Sequence, residues 1–117
     1  MNFGNWLKDQ QKLAYHITFK HLLPSIQNKG LLPNKPEDYA GELKGVFLFK
    51  TIDDAENALT NWLGERIEDL EEKAGFEFEE LLLTIDISNL NCINGAGYEL
   101  VCLNVIPPNR IINITPI

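Results

Sequence analysis

Hydrophobic and polar positions change period several times along the chain, and each change marks an element. Lys12 to Thr18 is β-compatible throughout and predicts a first strand. Leu22, Leu23 and Ile26 then share one helical face, predicting a helix from about Phe19 to Lys29 that Gly30 stops. Pro24 lies inside that stretch and moves the start toward Leu22 or Leu23. Leu31 to Leu43 holds Pro33, Pro36 and Gly41 and reads as a loop, and Gly45 to Phe49 reads as a short apolar strand. Ala55, Ala58, Leu59, Trp62, Leu63, Ile67 and Leu70 repeat at helical spacing, so a helix capped by Thr51 or Asp53 runs to about Lys73, with Gly64 a point of interruption and Gly75 the end. Leu81 to Ile87 is a strand. Asn89 to Gly97 is an irregular Asn- and Gly-rich connector, Tyr98 to Ile106 a second long strand, Pro107-Pro108 a break and Arg110 to Thr115 a final strand. Residues 2–11, with Trp6 and Leu7 among polar neighbours, suit a short helix. Helices early and strands late predict an α+β domain with a mostly antiparallel sheet and N-terminal helices.

Length and composition narrow this picture without naming a chemistry. A chain of 117 residues, 44% hydrophobic, is a single domain large enough to bury roughly two thirds of its unfolded surface. It has no apolar run of membrane-spanning length and no apolar signal core after Asn2, so it is expected to be soluble, cytoplasmic and without a membrane partner. Cys92 and Cys102 form no CxxC pair and no zinc set, and free thiols in a reducing compartment are expected over a disulfide. No metal is expected. The net charge of −7 argues against indiscriminate nucleic-acid binding. The field is asymmetric, since Lys8, Lys12, Lys20, His21 and Lys29 lie in the first quarter while Glu65 to Glu80 is strongly acidic and reads as a solvated helix face.

Three segments carry candidate chemistry. Leu13-Ala14-Tyr15-His16-Ile17-Thr18 places His16 and Thr18 on one face of the first strand. Gly45-Val46-Phe47-Leu48-Phe49 follows, and then Tyr98-Glu99-Leu100-Val101 runs toward Ile106-Pro107-Pro108. In this order, with Ile26 to Pro33 as an Ile-x-x-x-Gly-Leu-x-Pro link, they resemble the ADP-ribosyltransferase superfamily over roughly Lys12 to Thr115. The resemblance implies a single ADP-ribosyltransferase-like domain over residues 1–117, with NAD as substrate. It assigns His16 to the ribose next to the adenine, Thr18 to the nicotinamide end, Phe47 to stacking on the nicotinamide, and Tyr98 to the same NAD-binding set. Glu99 is the catalytic carboxylate for an oxocarbenium-like ribose. Phe47 stands where the family has tyrosine, so the ring face is kept and the hydroxyl lost.

The implied activity is NAD-dependent ADP-ribosyl transfer, a glycosyltransferase reaction of toxin-like type, to a macromolecular acceptor that is either protein or nucleic acid. Gly97 stands where arginine-directed members carry Glu or Gln, which disfavours arginine as the acceptor. Removal of a 2′-phosphate from RNA, by a family of the same fold that depends on several arginines, is disfavoured because only Arg66 and Arg110 are present. The alternative is a catalytically degenerate transferase-fold protein that binds or inhibits a partner.

Overall fold

The computed structural model describes residues 12–33, 45–95, 97 and 99–117. The expected helix at 2–11, most of the 31–43 loop, and Tyr98 lie outside them. The best-formed strands are the two whose sequences alternate or run apolar, β1 (Leu13–Phe19) and β3 (Glu80–Asp86), joined by seven consecutive antiparallel pairs from Leu13–Asp86 to Phe19–Glu80. The others are β2 (Val46–Phe49), β4 (Cys92–Asn94), β5 (Glu99–Cys102) and β6 (Ile111–Pro116). All six form one antiparallel sheet in the order β4-β5-β2-β1-β3-β6. Among the described residues three α-helices accompany it: α1 (Leu23–Lys29), α2 (Ile52–Leu59) and α3 (Trp62–Ala74). The α+β class and antiparallel sheet expected from the pattern are therefore present.

Alternation along the strands divides the apolar residues between two cores. On one face Ala14, Val46, Leu48, Leu83, Ile85, Leu100 and Cys102 pack with Ile26 of α1 and with Leu31 and Ile106. On the other, Phe49 and Leu82 meet Ala55 and Ala58 of α2, with Tyr15, Ile17 and Leu63 at the margin. Burying one such leucine or isoleucine contributes about 1.5–3 kcal/mol, so the first cluster is the main source of stability.

Local details follow from single residues. Pro24 stands in the first turn of α1, where its missing N–H costs nothing, and a 3₁₀ turn over Lys20–Leu22 precedes it. The Thr51 hydroxyl caps α2 by accepting from the Asp54 amide at 3.0 Å. The long helix expected from Thr51 to Lys73 is broken at Thr60–Asn61, ahead of Gly64. Gly64 still makes the break possible, because a Cβ there would lie 2.2 Å from the Leu59 carbonyl oxygen.

Three expectations are corrected. The second long strand ends at Cys102 instead of Ile106, because Ile106 bridges to Leu31 and carries the chain across the first core. The connector at 89–97 is not wholly irregular: residues Cys92–Asn94 form β4 and pair with β5 as a hairpin. Cys92 and Cys102 are not free thiols but a disulfide, because the hairpin register sets them directly opposite each other. Composition does not show that register.

Two glycines with positive φ separate steric from conformational cost. Gly30 (φ 81°) ends α1, and a Cβ there would stand 2.1 Å from the Ile106 carbonyl oxygen, whereas a Cβ on Gly75 (φ 84°) would meet nothing within 4 Å. Gly75→Ala is expected to cost about 1 kcal/mol and Gly30→Ala about 3 kcal/mol or more, with urea unfolding midpoints ordered wild type, Gly75→Ala, Gly30→Ala.

Candidate functional site where β1 and β2 part

β1 and β3 pair along their whole length, and β2 and β5 pair at four consecutive positions. Between β1 and β2, by contrast, the ladder consists of the Tyr15–Phe49 pair alone among the described residues. The regular ladder is not continued from it to His16, Ile17 and Thr18, although β1 and β2 stay neighbours in the sheet.

His16 sits next to that pair. Its Nδ1 lies 2.9 Å from the Phe47 carbonyl oxygen. A carbonyl only accepts, so Nδ1 carries the proton and Nε2 is left as an acceptor in the neutral ring. Burial pushes the His16 pKa below its ordinary 6.5, opposed by the hydrogen bond to Phe47. A side chain therefore links β1 to β2 where the regular ladder is not continued.

The same junction brings Glu99 close. Phe49 pairs with Tyr15 on one side and with Glu99 on the other, so Tyr15, Phe49 and Glu99 form one row across three strands and share a face. Phe47, two residues along β2, shares that face as well. Glu99 is half-buried, and loss of water raises its carboxyl pKa above the ordinary 4.5. Gly95 makes room for it, since a Cβ there would come within 3.4 Å of Glu99 Oε2. Lys50 donates to the Gly97 carbonyl at 3.1 Å, holding the turn that leads into Glu99.

The structure thus brings the His16, Phe47 and Glu99 segments together on neighbouring strands. Thr18 is only 4% exposed and pairs with Leu81, turned into the body. Alternation along the ladders directs His16 and Thr18 toward the first core's face and Phe47 and Glu99 toward the second. His16 and Glu99 therefore lie on opposite faces of the sheet, and the link between their strands is the hydrogen bond from His16 to the Phe47 carbonyl. Tyr98 falls outside the described residues. Sequence reading missed Tyr15, Phe49 and Lys50. Phe49 was signalled by its two-residue spacing from Phe47, whereas the partners of Tyr15 and Lys50 depend on a register that residue types alone do not show.

Arg110 is used elsewhere: its guanidinium donates to the Ser88 carbonyl at 2.5 Å and lies 3.9 Å from an Asp86 carboxylate oxygen, fastening β6 to the end of β3. Among the described residues no group of three His, Cys, Asp or Glu side chains gathers as a metal site, and no helix is long and apolar enough to cross a membrane. No protein-family model matches the chain, and no curated protein matches it significantly.

Two titrations test this geometry. The His16 ring should show an NMR midpoint below 6.5 with the Nδ1-protonated tautomer. Because its folded pKa is depressed, its contribution to stability should be complete above 6.5 and lost as the pH falls through the folded value, and His16→Gln should remove that limb. Glu99→Gln should melt no lower than wild type at neutral pH, because it removes a carboxylate that burial disfavours.

Proposed function

We propose that the domain binds NAD at the β1–β2 junction and transfers ADP-ribose to a macromolecular acceptor, protein or nucleic acid. The observation that carries this reading is that three segments far apart in the sequence, bearing His16, Phe47 and Glu99, occupy the adjacent strands β1, β2 and β5. In this reading the His16 Nε2 accepts a ribose hydroxyl, and the Phe47 ring packs against the nicotinamide. Thr18 and Tyr98 are carried as NAD contacts by the resemblance alone.

The reaction breaks the glycosidic bond between ribose C1″ and the nicotinamide nitrogen. Nicotinamide leaves with the electron pair, the ribose acquires oxocarbenium character, and the acceptor's lone pair forms the new bond to C1″ as the acceptor gives up a proton. Glu99, as a carboxylate, stabilises the positive ribose and binds its hydroxyl. A cytoplasmic location belongs to the same proposal.

The absent tyrosine hydroxyl at Phe47 and the burial of Thr18 favour a second reading, in which the same fold binds or inhibits a partner without turning NAD over. Labelled NAD and calorimetry separate the two. Under the transferase reading, Glu99→Gln keeps NAD affinity while transfer falls about 100-fold to 1000-fold, and Phe47→Ala weakens NAD binding about fivefold to tenfold. Absence of NAD binding at millimolar concentration would favour the second reading, and wild-type transfer by Glu99→Gln would remove Glu99 from the mechanism.

A further inference from the structure

At the far end of β1 from the Tyr15–Phe49 pair, four rings form a cluster that neither core absorbs. Phe19 and His21 lie stacked at 5.8 Å between centroids, Phe78 lies 4.8 Å from Phe19 and 4.7 Å from His21, and Phe76 lies 5.2 Å from His21 and 5.0 Å from Phe78. The outermost of them is open to water: Phe76 is 51% exposed, and His21 is exposed beside it. Burying a phenylalanine is worth about 1.5–3 kcal/mol, and here much of that remains unrealised.

Carboxylates surround the cluster. Glu71 accepts from the Phe78 amide at 2.6 Å, Glu77 stands between the two phenylalanines in the chain, Glu79 lies 3.5 Å from Lys20, and Glu80 pairs with Phe19. The run from Glu65 to Glu80 holds eight carboxylates against Arg66 and Lys73, so one cation on Lys20 leaves the rim strongly negative. A nucleic-acid strand, which also stacks on aromatic rings, would bring its phosphates against these groups. A guanidinium or ammonium is drawn both to the negative ring faces and to the carboxylates.

We propose that the Phe19–His21–Phe76–Phe78 cluster with its carboxylate rim is a docking surface for a basic, arginine- or lysine-bearing segment of a partner protein. Its basis is exposed rings and charge complementarity, and it holds whether or not NAD is turned over. If ADP-ribose is transferred, this surface would recruit a basic protein and present another of its residues to Glu99, since arginine itself is disfavoured as the modified group.

The test uses the intact chain without NAD and a fluorescent peptide of alternating arginine and glycine, with a glutamine-for-arginine peptide and a single-stranded oligothymidine as comparison probes. The basic peptide should bind best, and rising salt should weaken it. Phe76→Ala, at a half-exposed position, should keep a cooperative melting curve, lowered by a few degrees at most, and weaken binding about threefold to fivefold. Glu77→Gln should weaken it similarly, and Phe76→Trp should restore or improve it. Three outcomes would overturn the proposal: no binding of the basic peptide; equal binding to wild type and Phe76→Ala, which marks diffuse attraction to the acidic run; or preferential binding of the oligothymidine.

Discussion

The Tyr15–Phe49 pair is the constraint on which the arrangement of the sheet depends. Elsewhere the strands pair over three to seven positions, with one register shift between Thr84 and Ile85 where β3 meets β6. At the β1–β2 junction the ladder stops after this one pair, and the Phe47 carbonyl is met by the imidazole of His16. A hydrogen bond of this kind contributes about 0.5–1.5 kcal/mol, so His16 has a structural part in the junction even before any ligand is considered. The same bond fixes the tautomer and leaves Nε2 as the ring's acceptor. Structure and chemistry are coupled through one side chain.

The two halves are held to their neighbours by different means. The β1–β3–β6 half rests on long apolar strands, with Leu83 and Ile85 fully buried. The β2–β5–β4 half is shorter and depends on close approaches. Gly45 lets β2 sit against β5, since a Cβ there would lie 2.4 Å from Val101 Cγ1, and the Cys92–Cys102 bond ties the edge strand to its partner. Glu99 begins β5 in this second half. Its position is therefore set by hairpin register and by the Lys50 bond to Gly97, rather than by burial in the main core.

What could be read from the sequence reflects these differences. β1, β3, α1 and the helical stretch that divides into α2 and α3 announce themselves by period, caps and glycine stops, because those signals are local, whereas the division at Thr60–Asn61 does not. β4 did not, since three residues with two exposed side chains have no pattern of their own and exist as a strand only through pairing with β5. The disulfide escaped with it: two cysteines ten residues apart become partners only once that register is known. The site was legible as residue types in order, His16, Phe47 and Glu99. Alternation also gave His16 and Thr18 a common face, but it could not tell that Thr18 would be enclosed. Enclosure depends on what packs over a strand, and that information is not in the strand.

His16 and Glu99 lie near one junction and are shifted in opposite directions on the pKa scale for one reason. Loss of water disfavours the charged form of each, lowering the histidine and raising the glutamate. The two side chains face opposite sides of the sheet, so it is the Glu99 carboxylate alone, poorly solvated, that gains when positive charge appears beside it. In the free protein that gain is unrealised, and Glu99 carries a desolvation cost. Under the proposed reaction it is realised as the ribose becomes cationic, so the interaction is stronger in the transition state than with bound NAD, which is the condition for accelerating the step rather than tightening the complex. A carboxylate fully open to water would be solvated equally in both states and would contribute less. The half-burial of Glu99 thus matters as much to the proposal as its identity.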